Sequence, residues 1–350
     1  MFDTILAKLT YDVAIDLGTS TTLVGVKGFG NILLEPTVVA VNKKTSQILA
    51  VGSEAKEMVG RTPGDIVAVR PMRDGVIKDY EMTQAMLKYF LHKAQTIARR
   101  MNGTWKARLK IDKPRVIIGV PSGITDVERK AVIDSAKFAG ARTVFIIEEA
   151  MAAAIGAELP IDEASGSMII DIGGGTTDIA ILSLGAIVSD ETIRIAGDFL
   201  DAELQNFIKE KFGVQLGDQT IENMKIEIAS LDRSKLSISV KGRGIKDGLP
   251  KAQEVTSSDI ESTVASVLAH IINAAKQAIE SAPPEILGDI LENGITLAGG
   301  GAQIRGLSEY LTKELHVPVK ITEDPVSCVL RGCMKVIDNF SLLSRLQVDE

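Results

Sequence analysis

The chain has 350 residues, 45% of them hydrophobic and 24% charged, with a formal net charge of −7. That balance excludes a disordered polymer, leaves room for two domains with separate cores, and argues against a general nucleic-acid binder. Two cysteines, Cys328 and Cys333, and three dispersed histidines lack zinc-ligand spacing, and two cysteines without a signal-peptide pattern fit a reducing cytoplasm.

From Met1, the apolar residues Phe2, Ile5, Leu6 and Leu9 fall on one helical face. This segment reads either as a short helix packed on its own domain or as an interfacial membrane anchor. Strands are predicted at 13–18, 22–27 and 37–41, with turns at 28–30 and 35–36. A short helix at 54–59, a loop with a short strand at 67–77 and a helix over 81–101 follow. Residues 102–112 form a basic loop in which Lys106, Arg108 and Lys110 surround Trp105. Such a loop is either ordinary surface or a contact with anionic lipid headgroups. Thr125-Asp-Val-Glu128 is a capping box that opens a helix ending before Gly140. A strand at 143–147 then delivers Glu148 and Glu149 to the start of a helix at 150–156. Strands alternating with helices indicate an α/β domain with a partly parallel sheet.

Residues 168–182 read as strand, glycine turn, strand around Asp171-Ile-Gly-Gly-Gly-Thr-Thr-Asp178. Gly173, Gly174 and Gly175 permit positive φ in the turn, and their N–H groups can form an anion nest. Asp171 at the strand end is placed to hold a hydrated Mg2+, with hydroxyls at Thr176 and Thr177. By itself the pattern is no more than a hairpin. The same grammar, however, occurs earlier as Asp16-Leu-Gly18-Thr19-Ser20-Thr21-Thr22. Asp16 matches Asp171, Gly18 matches Gly173, and Thr21-Thr22 match Thr176-Thr177. Two such turns suggest a duplicated domain whose halves grip a polyphosphate and its metal from both sides.

Further on, the pattern predicts a strand at 187–195 and a helix at 199–212 capped by Ala196-Gly-Asp198. A helix at 221–229, two short strands at 236–240 and 254–256, and a long helix capped by Ser258 or Asp259 follow. A strand at 295–298 leads into Gly299-Gly300-Gly301-Ala302, then come a helix at 306–315, a strand at 319–321 and a helix at 325–340. The glycine run is read as a helix start open to an anion or a nucleoside. It is not a P-loop, because Leu307 stands where the lysine belongs. Glu222 and Lys225 share a helix face and are, taken alone, an exposed ion pair. Glu148, at a strand end aimed at the turns, is the candidate to orient or deprotonate an attacking water, with Thr176 holding the same water. The plainer reading of Glu148-Glu149 is a carboxylate pair favoured by a helix N-terminus.

Together with Arg70-Pro-Met-Arg-Asp-Gly-Val-Ile77, Val120-Pro-Ser-Gly-Ile-Thr-Asp-Val-Glu-Arg129, Met151-Ala-Ala-Ala-Ile-Gly156, Ile195-Ala-Gly-Asp198 and Leu297-Ala-Gly-Gly-Gly301, these stretches resemble the MreB family of bacterial actins. The family lies in the actin, Hsp70 and sugar-kinase superfamily, and the resemblance covers about residues 10–340. It implies an actin-like α/β fold of two duplicated lobes, four subdomains in all, with a nucleotide cleft between them. Lobe I would take 1–150 plus 325–350, with a smaller subdomain at about 33–75. Lobe II would take 151–324, with a smaller subdomain at about 190–257.

The resemblance also implies a slow Mg2+-dependent ATPase that assembles with itself into membrane-associated cytoplasmic filaments governing cell shape. Carried over residue by residue, Asp16, Gly18, Thr19, Ser20 and Thr21 form the first phosphate loop. Gly173, Gly174, Gly175 and Thr176 form the second, while Glu222, Lys225 and Gly299, Gly300, Gly301, Ala302 hold the nucleoside. Asp16 and Asp171 act on the metal through water, and Glu148 positions the attacking water. The chain departs from the family at Ser20-Thr21, where Ala-Asn is usual, at Ala150 for Pro, and at Asp178 for Glu. These departures suggest a divergent paralogue; such paralogues occur in helical wall-less bacteria, where they are linked to shape and swimming. Alternatives are a filament scaffold with negligible ATPase, a non-polymerising Hsp70-like switch, and a small-molecule kinase.

Overall fold

The computed structural model describes residues 11–62, 64–102 and 113–339; the expectations for residues 1–9 and for the Trp105 loop lie outside them. The chain opens on a three-strand meander, β1 (Val13–Leu17), β2 (Thr21–Val26) and β3 (Gly30–Pro36). A small sheet follows, of β4 (Val39–Asn42), β5 (Ile48–Val51) and β6 (Ile66–Val69), covered by helix α1 (Ser53–Met58). A hairpin of β7 (Met72–Arg73) and β8 (Val76–Ile77) leads to the long helix α2 (Tyr80–Asn102). Then come β9 (Arg115–Val120), α3 (Asp126–Phe138), β10 (Thr143–Glu148) and α4 (Glu149–Gly156).

The second half repeats the plan. A meander of β11 (Ser167–Ile172), β12 (Thr177–Ser183) and β13 (Ala186–Ile193) leads to α5 (Gly197–Phe212), β14 (Val214–Gln215) and α6 (Asp218–Ile228). A second small sheet joins β14 to β15 (Ser237–Gly244) and β16 (Pro250–Thr256). The chain continues through α7 (Ser257–Ser281), α8 (Pro284–Asn293), β17 (Ile295–Ala298), α9 (Leu307–Leu315), β18 (Val319–Ile321) and α10 (Cys328–Asp338).

The two large sheets run β10-β9-β1-β2-β3 and β18-β17-β11-β12-β13. In each, the meander pairs antiparallel, and two further strands add in parallel beside its first strand. Even the hairpin register agrees: Leu17 faces Thr22, and Ile172 faces Thr177. The central strands are apolar on both faces because helices cover both sides. α4 and α10 cross backbone to backbone between the sheets. A Cβ on Gly156 would strike the Cys328 carbonyl, and one on Gly332 would strike the Ala152 carbonyl. α10 packs on β1 and β9 while α4 packs on β11 and β12, so one apolar core ties the two halves together.

Several local expectations are corrected. Glu35-Pro36, read as a turn, belongs to β3, which lies at a sheet edge where proline removes no needed donor. β15 and β16 are longer than the short strands expected at 236–240 and 254–256, running to Gly244 and from Pro250, because each finds an antiparallel partner. α7 is capped by Thr256, whose hydroxyl accepts from Asp259 N while Asp259 accepts in return from Thr256 N. α8, which no expectation covered, opens on Pro284 in its first turn and stops at Gly294, both ordinary helix-boundary signals. The capping box at Thr125 forms as predicted. No helix among the described residues is long and apolar enough to cross a membrane.

Candidate functional site

Between the two large sheets lies a cleft of about 320 Å³ whose floor is the pair of glycine turns. Asp16 ends β1 one residue before Leu17, and Asp171 ends β11 one residue before Ile172, so equivalent strand positions deliver both carboxylates beneath the turns. The turns meet face to face. A Cβ added to Gly174 would lie 2.7 Å from Ser20 Cβ, and one added to Gly175 would lie 2.8 Å from Thr19 Cβ. Positive φ, the reason expected for these glycines, occurs at none of Gly173, Gly174 and Gly175. Gly174 and Gly175 are glycines because the opposite turn fills the space a side chain would need.

The tip of the β7–β8 hairpin joins this junction. Gly75 N donates to Thr19 Oγ1 at 3.0 Å, and a Cβ on Gly75 would come within 2.8 Å of Thr176 Cγ2. On the other side, Asp198 N donates to Gly174 O at 2.8 Å, and Ser20 Oγ donates to Asp198 Oδ1 at 3.0 Å. Lys225 donates to Gly197 O at 3.0 Å and to Asp201 at 2.9 Å, which fixes its ammonium beside the start of α5.

Asp16, Gly18, Thr19, Ser20, Thr21, Asp171, Gly173, Gly174, Gly175, Thr176, Glu222, Lys225, Gly299, Gly300 and Gly301 all line this one cleft. Two predicted residues do not. Ala302 is fully buried in the core of the second half. The glycine run forms a four-residue 3-10 turn, Gly300–Gln303, rather than the start of an α-helix. Its tighter winding turns Ala302 inward and leaves Gln303 and Ile304 on the cleft wall.

The second correction concerns the water-positioning carboxylate. Glu148 stands outside the cleft among Asp190, Arg129 and Ser122. Its neighbour Glu149 lines the cleft and is 9% exposed. Successive residues at a strand end point to opposite sides, and Gly119 on the adjacent strand leaves room on the Glu149 side. The sequence motif offered both acids, and only the strand's facing separates them.

The charge at the floor is unbalanced. Burial pushes Asp16 up to about 7 from 3.8. Burial, with Asp16 and Asp178 close by, pushes Asp171 well above the usual carboxylate range. Glu149 rises for the same first reason, reinforced by Asp178, Asp16 and Asp171. Asp178 is buried too, and accepts from Thr192 Oγ1 at 2.7 Å and Ser122 N at 3.3 Å. Among the described residues no lysine, arginine or histidine pairs with Asp16 or Asp171. Such a desolvated acid pair fits a divalent cation. No group of three or more His, Cys, Asp or Glu side chains among the described residues could hold a metal ion directly. The donor set therefore suits a cation held through water and through the phosphates of a ligand.

Gly75, Glu149, Asp198, Asp201 and Gln303 are cleft residues that the reading of single motifs did not assign to the site. The Arg70–Ile77 stretch and the Ile195-Ala-Gly-Asp198 stretch were the available signals for Gly75 and Asp198.

The family model described as MreB/Mbl protein matches residues 10–345. The cell shape-determining protein Mbl of Bacillus subtilis is 44% identical over 336 residues, 95% of this chain and 98% of the relative. The cell shape-determining protein MreB of Escherichia coli is 43% identical over 334 residues, 93% of each chain. Among solved structures, MreB5 of Spiroplasma citri bound to ADP superposes with a TM-score of 0.87 at 36% identity, covering 96% of this chain and 98% of that one. A double helical filament of MamK superposes with a TM-score of 0.78 at 23% identity, covering 94% of this chain and 99% of that one, a likeness of fold.

Proposed function

The chain belongs to the MreB/Mbl family and has its actin-like fold, and from that premise we propose that it binds and slowly hydrolyses ATP and polymerises into filaments that control cell shape. The carrying observation is the pair of interlocked turns over two desolvated aspartates, Asp16 and Asp171. Gly18, Thr19, Ser20 and Thr21 on one side, and Gly173, Gly174, Gly175 and Thr176 on the other, cradle the phosphates with N–H and hydroxyl donors. Glu222, Lys225 and the Gly299–Gly301 turn hold the nucleoside. Asp16 and Asp171 hold Mg2+ through water; when bound, the ion supplies charge compensation for phosphoryl transfer.

Hydrolysis needs a carboxylate that can orient water and accept its proton. Glu149, rather than Glu148, takes that role: it lines the cleft and its pKa is raised by burial and by neighbouring acids. Thr176, on the second turn beside Asp178, holds the same water. Self-association into filaments is supported by the family and by the fold shared with the MamK filament. Attachment to the anionic inner face of the cell membrane through residues 1–9 and the Trp105 loop rests on their sequence alone. The lobe boundaries proposed above are supported by the packing of α10 on β1 and β9. A role in the shape or swimming of a wall-less cell rests on the sequence departures from the family pattern at Ser20-Thr21, Ala150 and Asp178 alone.

The test is sedimentation with simultaneous phosphate release, with and without Mg-ATP. Wild type should pellet and release phosphate. Glu149→Ala should pellet with release reduced about 100-fold, whereas Glu148→Ala should stay within about threefold of wild type. Unchanged release by Glu149→Ala would reject its role, and absence of sedimentation at any nucleotide would reject the filament.

A further inference from the structure

Two ion pairs of the same polarity bridge the cleft, and neither cation belongs to its lining. At the nucleoside end, Lys56 on α1 places its ammonium 2.8 Å from both carboxylate oxygens of Glu222 on α6. Gln219, one turn earlier on α6, donates its amide to the Lys56 carbonyl. At the phosphate end, Arg70 donates to Asp198 Oδ1 at 3.2 Å, the same oxygen that takes the Ser20 hydroxyl. Lys56 and Arg70 flank the small sheet β4-β5-β6. Glu222 and Asp198 lie on α6 and α5, beside the small sheet β14-β15-β16. No strand pairing joins the two small sheets. Basic groups on one wall thus meet acidic groups on the other, at both ends of the cleft.

We propose that these bridges form a clasp across the cleft mouth that sets the rate at which nucleotide enters and leaves. The proposal rests on the reading of the cleft as an ATP site. Glu222 is engaged twice: it walls the nucleoside end and it receives Lys56, so a ligand reaching it must pass the closed bridge. All four side chains keep partial exposure, 35% and 19% for Lys56 and Glu222, 38% and 30% for Arg70 and Asp198. Pairs so exposed are individually weak and screened by salt, so the clasp opens by thermal motion instead of locking. Ser20 adds a thread of this chain's own. Where the family usually has alanine, its hydroxyl ties the first phosphate turn to Asp198, and Asp198 N ties the second turn through Gly174 O. Closure at the mouth is thereby coupled to the meeting of the two turns.

A gate and a ligand contact leave different kinetic signatures. A group that touches nucleotide changes the dissociation rate and weakens equilibrium affinity in proportion. A group that only bars the mouth slows entry and exit alike and leaves affinity unchanged. Because Lys56 and Arg70 are absent from the lining, the second signature is expected.

The experiment is stopped-flow fluorescence with a mant-labelled ATP and Mg2+ on the full chain, comparing wild type, Lys56→Ala, Arg70→Ala and the double variant. Each single variant should raise both association and release rates by about two- to fivefold in parallel, so that Kd stays within about twofold. The effects should multiply in the double variant. Raising ionic strength should speed release from wild type more than from the double variant, a measurement on wild type that stands even where a variant folds poorly. Rates equal to wild type, or a faster release matched by an equal loss of affinity, would overturn the clasp while leaving the ATP site intact. Failure of wild type to bind the labelled nucleotide would overturn both readings.

Discussion

The β1–β2 and β11–β12 turns have the same length and register yet carry opposite cargo. Between Leu17 and Thr22 the chain reads Gly-Thr-Ser-Thr, and between Ile172 and Thr177 it reads Gly-Gly-Gly-Thr. Thr19 fits the hollow left by Gly175, and Ser20 fits the hollow left by Gly174. Two copies of one element that face each other cannot both carry side chains at the contact, so one copy supplies hydroxyls and the other gives way. The same asymmetry appears one residue further out, where Asp16 faces Leu23 but Asp171 faces Asp178. The second half therefore concentrates the negative charge, and the first half the hydroxyl donors.

That complementarity breaks most severely when the hollow is filled. Gly174→Ala or Gly175→Ala should force the turns apart and weaken Mg-ATP binding by about 10- to 100-fold in calorimetric titration, the range expected of overpacking. Gly173→Ala should do less, since its added Cβ would meet only Thr176 O, at 3.1 Å. Ser20→Gly combined with Gly174→Ala should recover much of the loss. A double variant no better than Gly174→Ala alone would refute the interlock.

The charge asymmetry can be read from the dependence of stability on pH. A carboxyl whose pKa is raised by folding costs nothing below its unfolded value and destabilises the fold increasingly as pH rises through the folded value. For Asp16 that window runs from 3.8 to about 7, and Asp171 and Glu149 act in the same direction. The ligand-free protein should therefore lose melting temperature as pH rises from 5 to 8 (about three units, spanning most of that window). The gain in melting temperature from Mg-ATP should grow over the same interval. Asp171→Asn should flatten the ligand-free profile more than Asp16→Asn, because Asp171 has the acidic neighbour Asp178 across its hairpin. Equal flattening by the two would show that the halves share the charge evenly.

The smallest effect sharpens the comparison away from the site. Thr125 and Thr256 form capping boxes at the starts of α3 and α7, one in each half. Thr125→Ala and Thr256→Ala should each cost about 1 kcal/mol in urea unfolding and should add when combined. Coupling between them would mean that the halves unfold through a shared structure at those caps.

Much of this architecture was legible from local pattern. The duplicated Asp-x-Gly hairpin, the Thr125 capping box and the alternation of apolar strands with helices are short-range consequences of backbone geometry and side-chain periodicity. They led to the two halves, to the two facing turns and to the residues of those turns that line the cleft. β3 escaped because its partner strand stabilises it against its own turn-like sequence, whereas α8 escaped despite the Pro284 start and Gly294 stop that mark it locally.

What the sequence by itself determined is which residues stand at the ends of which strands, since spacing along the chain dictates that. Which of two adjacent acids enters the cleft was decided only when β10 took its place beside β9, where Gly119 leaves room for Glu149. The inward rotation of Ala302, the meeting of Gly174 with Ser20, and the pairing of Lys56 with Glu222 across 166 residues of chain were decided in the same way. Each depends on where a surface distant in sequence comes to lie, and no local periodicity carries that information.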